Sequence, residues 1–392
     1  DARAGDLAGA YARVRRAMLD APGAARLGAV AAMLARAMGR TPDARSLLAT
    51  ARGADPINVF LRYEAHRAWA PDSALLRELA ADPERILEIA TEYLRFGLWG
   101  EALDVLSAEY PSAGVVAEPG MPRPEHYALL AYYRGWLRER LRQDGASEYD
   151  AASRMPLTYV FPNRPEEFAV LGAALAHDPR DASAHALLGD LAMSGGMLDS
   201  AVAEWRRAAA IAPRIPALLR DLGYALLASG RPAAEARAAF EDGVRYDSLN
   251  VGVWVGLDSA LSLGGATATE RARSLDRFPE PGAMPASLVY RYARLLAEAG
   301  RFDDAERQFR ARFFPRREGG VNPRQVWLDV RLRRAEALAA PERCAEAVRI
   351  LDGLARPVQG IAFTRDGLVP LLQAGALADR AAAVRARCGA AR

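Results

Sequence analysis

The sequence contains no lysine, and all 52 of its basic residues are arginine. The chain therefore has no phosphate-binding loop of the Gly-Lys-Ser/Thr type and no lysine amine that could form a Schiff base. Histidine is also scarce, and the few histidines are scattered without the i, i+4 spacing of a helical zinc site. They are His66, His126, His177 and His185. No Gly-x-Ser-x-Gly nucleophile motif occurs, and no dinucleotide-binding fingerprint follows a predicted strand. We expect no catalytic residue, no metal site and no cofactor.

Long apolar runs and a large charge imbalance are missing as well. Arginines interrupt every Ala/Leu stretch before it reaches the ~20 residues that a membrane-spanning helix needs. The 52 basic residues face 49 acidic ones, so the formal net charge is only +3. Such a balance gives no electrostatic reason to bind nucleic acid or an anionic membrane. We expect a soluble chain that binds no nucleic acid and does not insert into a membrane.

Only two cysteines occur, Cys344 and Cys388, and both lie near the C-terminus. Two interpretations stay open. They form a disulfide between neighbouring helices, which would suit an exported protein, or they are ordinary core residues. The chain begins at Asp1 rather than at methionine, so we expect a processed or excised piece. The compartment, cytoplasmic or exported, stays open.

One pattern recurs five times along the chain. A glycine ends an apolar segment, a short polar turn follows, and an alanine precedes a bulky apolar residue by four positions. The glycines are Gly39, Gly97, Gly196, Gly230 and Gly300. The alanines are Ala44, Ala102, Ala201, Ala236 and Ala305, and the bulky residues are Leu48, Leu106, Trp205, Phe240 and Phe309. Glycine ends a helix in the left-handed conformation, and alanine lets two antiparallel helices approach closely. The residue at i+4 lies on the same helix face, so the pattern predicts stacked helical hairpins.

The clearest unit spans residues 182–213, with Gly189 in its first helix and Ala201 and Trp205 in its second. This unit resembles the tetratricopeptide repeat, except that His185 stands where the first aromatic residue of that family is found. We interpret His185 as a structural core residue. The resemblance implies an all-α fold, a right-handed superhelix of helical hairpins joined by irregular loops.

Breaks rich in proline and glycine divide the helical segments, at residues 111–124, 156–165, 279–285 and 315–323. We expect three parts: N-terminal repeat hairpins over residues 1–120, a degenerate hairpin and Pro-rich loop over 121–180, and a tetratricopeptide array over 181–392.

Two motifs go beyond the general repeat, YVFPNR at 159–164 and FPRREGG at 314–320. They resemble the C-terminal repeat half of a bacterial family of unknown function, in which a β-rich, sugar-binding-like domain precedes the repeats. In this chain Arg316-Arg317 replace the aromatic residue expected before Glu318. The resemblance implies the architecture and a link to carbohydrate metabolism.

Both motifs supply candidate binding residues on loops that we expect to project from the edge of the array. These candidates are Tyr159, Asn163, Arg164, Arg317 and Glu318. The alternative is structural: the phenylalanines Phe161, Phe313 and Phe314 seal irregular joints, and the arginines pair with nearby acids.

A second set of candidates comes from first-helix positions, which line the concave groove of such arrays. The best of these are Arg220, Tyr224, Tyr290, Arg291 and Arg294, because aromatic residues and arginine are common anchors of protein interfaces. A groove of this kind takes an extended peptide or a helix.

These patterns favour a non-catalytic scaffold. Its groove and edge loops would bind a polypeptide partner or a covalently linked N-terminal β-rich domain. The alternative is an accessory module of a carbohydrate-active enzyme that contributes glycan contacts.

Overall fold

A computed structural model of the chain describes residues 6–389, except 22, 311, 315–319, 355 and 365–374. Regular structure within these ranges is helical throughout, and they contain no strand. The predicted all-α class is therefore confirmed. The chain divides into two compact units, Asp1–Leu218 and Leu219–Arg392. The predicted boundaries at 120 and 180 both fall inside the first unit.

The first unit is a series of short helices in which each helix packs on its neighbour in sequence. Its helices are α1 (Leu7–Asp20), α2 (Ala25–Ala37), α3 (Thr41–Ala54), α4 (Val59–Ala68), α5 (Ser73–Ala81), α6 (Pro83–Arg95), α7 (Trp99–Ser107), α8 (Ala128–Arg140), α9 (Ala146–Ala152), α10 (Glu167–His177), α11 (Ala182–Ser194) and α12 (Leu198–Ile211).

The second unit continues the same arrangement. Its helices are α13 (Leu218–Ala228), α14 (Ala233–Tyr246), α15 (Val251–Leu263), α16 (Ala268–Leu275), α17 (Ala286–Glu298), α18 (Phe302–Arg307), α19 (Pro323–Ala337), α20 (Cys344–Gly353) and α21 (Ala376–Gly389). We call the earlier helix of each hairpin its first helix, which in this unit means α13, α15, α17 and α19.

Every glycine that the repeat pattern placed at a hairpin end has a positive φ, between +66° and +77°. Side chains other than glycine rarely adopt this conformation, so each glycine ends one helix and lets the chain reverse. The hairpin end at Gly265 lies outside the pattern. Gly265, with φ +80°, joins α15 to α16, but no alanine follows at the usual spacing. Instead Thr267 and Glu270 start α16 with a capping box.

The paired alanines and bulky residues of the pattern are buried in all five hairpins, each at most 3% exposed. In the hairpin of α11 and α12, a Cβ added at Gly189 would lie 2.4 Å from Cδ1 of Trp205. The first helix therefore needs glycine where the bulky residue of the second helix meets it. This contact explains the Leu-Gly pair of the repeat and confirms the predicted hairpins.

Cys344 and Cys388 form a disulfide, with their Cα atoms 5.2 Å apart. The bond joins the first residue of α20 to the last turn of α21. Of the two interpretations that the sequence left open, the structure supports the disulfide.

Candidate partner-binding face

Four of the five first-helix candidates lie at the seams between first helices of the second unit. The Tyr224 hydroxyl of α13 donates a hydrogen bond to the Gly252 carbonyl of α15 over 2.9 Å. Arg291 of α17 donates to Asp258 of α15, with Nη1 and Oδ2 2.5 Å apart. Each of these side chains connects one hairpin to the next.

The same four side chains remain partly exposed. Tyr224 is 38% exposed, and the side chains of Arg220, Arg291 and Arg294 are 38%, 35% and 45% exposed. Arg294 of α17 approaches Asp329 of α19, with Nε 3.8 Å from Oδ2. We name these four residues the seam face. Each of them contacts other residues of the unit and is still accessible to solvent.

Three members of the seam face, Tyr224, Arg291 and Arg220, interact electrostatically. Burial raises the pKa of the Tyr224 hydroxyl, and the Arg291 and Arg220 guanidinium groups oppose that shift. Because the pKa lies above its ordinary value, Tyr224 is protonated at neutral pH and acts as a hydrogen-bond donor. Arg220 is held by its neighbour Asp221, with contacts of 2.8 and 3.0 Å.

Asp258, which no sequence pattern singles out, connects the helices of this region. The side chain is fully buried and accepts two hydrogen bonds from Arg271, at 2.7 and 2.9 Å, in addition to the one from Arg291. The hydrogen bonds to Asp258 raise the pKa of Arg271. Two arginines therefore share one buried carboxylate.

Tyr290 lies elsewhere. It is only 6% exposed, and its ring stacks on Phe314 with the centroids 5.4 Å apart. It lines a separate cavity and contributes nothing to the seam face. Phe314 is itself buried, which agrees with the structural interpretation of that residue, whereas Phe313 is 88% exposed.

The loop containing Tyr159 and Asn163 belongs to the first unit. Tyr159 has φ +61° and is 42% exposed, and Phe161 is 66% exposed. The backbone N–H of Asn163 donates to Oε2 of Glu167 over 2.6 Å, so the first residue of α10 holds the loop backbone in place. The loop presents two aromatic rings to solvent on a fixed backbone.

Arg164 has a structural position in that loop. It contacts Glu84 of α6 at 2.8 Å and Glu167 of α10 at 3.2 Å, with only 14% of its side chain exposed. Burial alone would lower its pKa, but the two carboxylates outweigh burial and raise it. Arg164 thus joins two helices. Arg317 and Glu318 lie outside the described residues.

Within the described ranges, no group of three or more His, Cys, Asp or Glu side chains could hold a metal ion. None of the helices described is both long and apolar enough to span a bilayer. His185 is a buried structural residue, as expected: its ring nitrogens lie 2.7 Å from Glu204 and 3.1 Å from the Pro179 carbonyl.

No protein-family model and no curated protein matches this chain. Among solved structures, it is similar to a tetratricopeptide repeat protein from Parabacteroides merdae, with 13% identity, TM-score 0.30, and coverage of 74% of this chain and 98% of that one. It is also similar to YrrB, described as a TPR protein with an unusual peptide-binding site, with 13% identity, TM-score 0.23, and coverage of 61% and 95%. A third is MamA, with 20% identity, TM-score 0.22, and coverage of 55% and 92%. The relationship to a family with an N-terminal β-rich domain stays a prediction.

Proposed function

We propose that this chain is a non-catalytic scaffold that binds an extended polypeptide segment along the seam face of its second unit. One observation carries the proposal: Arg220 and Tyr224 on α13, and Arg291 and Arg294 on α17, stay at least a third exposed although each of them contacts a neighbouring residue or helix. Residues that are fixed yet accessible bind a partner at a lower entropic cost than freely rotating ones.

The chemistry of the seam face favours a segment with acidic side chains and a free backbone. Arg291 uses a single nitrogen to contact Asp258. In the part of the chain that the structure describes, the carboxylate that Arg294 approaches is that of Asp329, 3.8 Å away and beyond hydrogen-bond distance. Both guanidinium groups therefore keep donors for a carboxylate or a peptide carbonyl, and the Tyr224 ring offers an apolar surface beside them.

A photocrosslinking residue at position 294 would test this proposal in the native host. We expect a discrete adduct with one protein, and we expect Tyr224→Ala to weaken binding of that purified partner about tenfold, as for an interface anchor. The matched control carries the crosslinker at position 237, because Arg237 is also exposed but lies on α14, a second helix. The proposal fails if both positions give the same adducts, or if position 294 gives none.

A second candidate, a glycan-binding accessory role, is favoured by the exposed rings of Tyr159 and Phe161. Aromatic rings held on a fixed loop can stack on the apolar face of a sugar. We expect the wild-type chain to bind an oligosaccharide in a calorimetric screen and Phe161→Ala to abolish the heat. An absence of binding at millimolar sugar would contradict this role and leave the scaffold proposal untouched.

A further inference from the structure

The second unit contains a cavity of about 620 Å³ at the start of α17. Its volume falls within the ~300–1,000 Å³ typical of small-ligand sites. Apolar side chains form most of its wall: Met284, Val289, Tyr290, Phe313, Phe314 and Val321. Met284, Val289 and Phe314 are buried, whereas Phe313 and Val321 are 88% and 53% exposed. The cavity therefore has an apolar floor and an open apolar rim.

Among the described residues that line this cavity, Arg312 is the one cation. Its guanidinium donates to two backbone carbonyls, that of Met284 at 2.9 Å and that of Pro281. It makes no ion pair with any residue that the structure describes. Burial lowers the pKa of Arg312. A partly buried arginine without a carboxylate favours an anion beside it.

Two further features of the cavity wall also favour a bound anion. Ala286 and Ser287, in the first turn of α17, line the cavity, and this 13-residue helix has neither a side-chain cap nor an acidic residue at its start. Its N-terminal amides and dipole favour negative charge. The Tyr290 hydroxyl forms no hydrogen bond within the described part of the chain, although the residue is largely buried. Arginine, helix start and hydroxyl thus offer donors to one cavity.

We infer that this cavity binds a small molecule with an apolar body and one carboxylate head, a medium-chain fatty acid in its simplest form. The apolar floor takes the body, and Arg312, the start of α17 and the Tyr290 hydroxyl take the head. The concave shape and the volume favour a small ligand over a polypeptide, which is bound elsewhere under the scaffold proposal. The two sites are independent, so either proposal can fail alone.

Decanoate is a suitable probe. Calorimetry compares it with decanol and decylammonium, which have the same alkyl chain but a different head group. We expect decanoate to bind to the full chain at least about tenfold more tightly than decanol, as for a hydrogen bond to a charged group. Decylammonium should bind more weakly still. Equal binding of decanoate and decanol would overturn the inference, and so would an absence of decanoate binding at millimolar concentration. A peptide that binds in the cavity where decanoate does not would also overturn it.

Two variants locate the head group. Arg312→Gln should weaken decanoate binding about tenfold, while Arg310→Gln, an equal charge change at an exposed position, should leave it unchanged. Equal effects of these two variants would contradict the assignment. Because Arg312 also holds the backbone near Met284, Tyr290→Phe serves as a second variant that keeps the ring stacked on Phe314. It should weaken decanoate about threefold and leave decanol unaffected.

Discussion

Replacing Phe240 with alanine is expected to destabilise the second unit by about 3–5 kcal/mol. Phe240 of α14 is fully buried between two first helices that have glycine opposite its ring. A Cβ at Gly223 of α13 or at Gly256 of α15 would lie 2.6 Å or 2.2 Å from ring atoms. Helical backbone thus lies against the ring on two sides. The space left by alanine cannot close easily, so both the lost burial and the cavity contribute to the loss.

Urea denaturation followed by hydrogen exchange in α13, α14 and α15 would measure this loss. Site-resolved exchange is needed because a chain with two units does not have to unfold in one step. Leu249→Ala is the matched control: this leucine is 54% exposed in the turn after α14, and its removal should change stability by less than about 0.5 kcal/mol. A loss below about 1 kcal/mol for Phe240→Ala would contradict the rigid arrangement. Since the Tyr224 ring packs edge-on against Phe240 at 5.1 Å, the variant should also weaken partner binding at the seam face.

The hairpins were predictable because their signals are local. A glycine with positive φ, an alanine at a close approach and a bulky residue one turn later are all set within about ten residues of sequence. Gly196, Ala201 and Trp205 illustrate this, since each has the conformation or burial that its residue type requires. The hairpin at Gly265 was missed because a capping box there replaces the alanine signal.

The seam face was only partly predictable. Helical phase places Tyr224, Arg291 and Arg294 on one predicted face, and all three are partly exposed. Helical phase also places Tyr290 on that face. Tyr290 is buried instead, because Phe314 from the irregular segment after α18 packs on its ring. The exposure of a first-helix side chain thus depends on which residues the following loop covers. The helical periodicity of the sequence does not predict the path of that loop.

The buried acids could not be predicted for a related reason. Asp258 lies within an otherwise apolar helix and is kept there by arginines from α16 and α17. Glu64 of α4 is likewise fully buried and is held by Arg36 of α2, with contacts of 2.9 and 3.0 Å. Burying a carboxylate is costly unless a cation accompanies it. With 52 basic residues in the sequence, pairing could not be assigned without the packing of the helices.

Reduction of the Cys344–Cys388 disulfide is expected to release α21 from the second unit. The two cysteines are 44 residues apart in sequence. A bond across such a segment lowers the conformational entropy of the unfolded chain, which stabilises the folded chain by about 4 kcal/mol. Only Val384 and Cys388 are buried in this helix, although its Arg380 also contacts Asp329 of α19 at 2.5 Å. Arg380 does contact both carboxylate oxygens of Glu336, at 2.7 and 2.9 Å, and Arg385 contacts Asp352 at 2.7 Å. An exposed pair such as Arg385–Asp352 contributes only about 0.2–1 kcal/mol.

Hydrogen exchange with and without a phosphine reductant would measure this release. Amides of α21 should lose protection on reduction, while those of α11 and α12 keep theirs. The double variant Cys344→Ala/Cys388→Ala should resemble the reduced chain and show no response to reductant. Unchanged protection of α21 would mean that Val384 and Arg380 suffice to hold it.

The bond also bears on the compartment, because structural disulfides persist where the surroundings are oxidising. Chain taken from its native compartment and denatured without reductant should therefore show no free thiol, and two thiols there would contradict an exported protein.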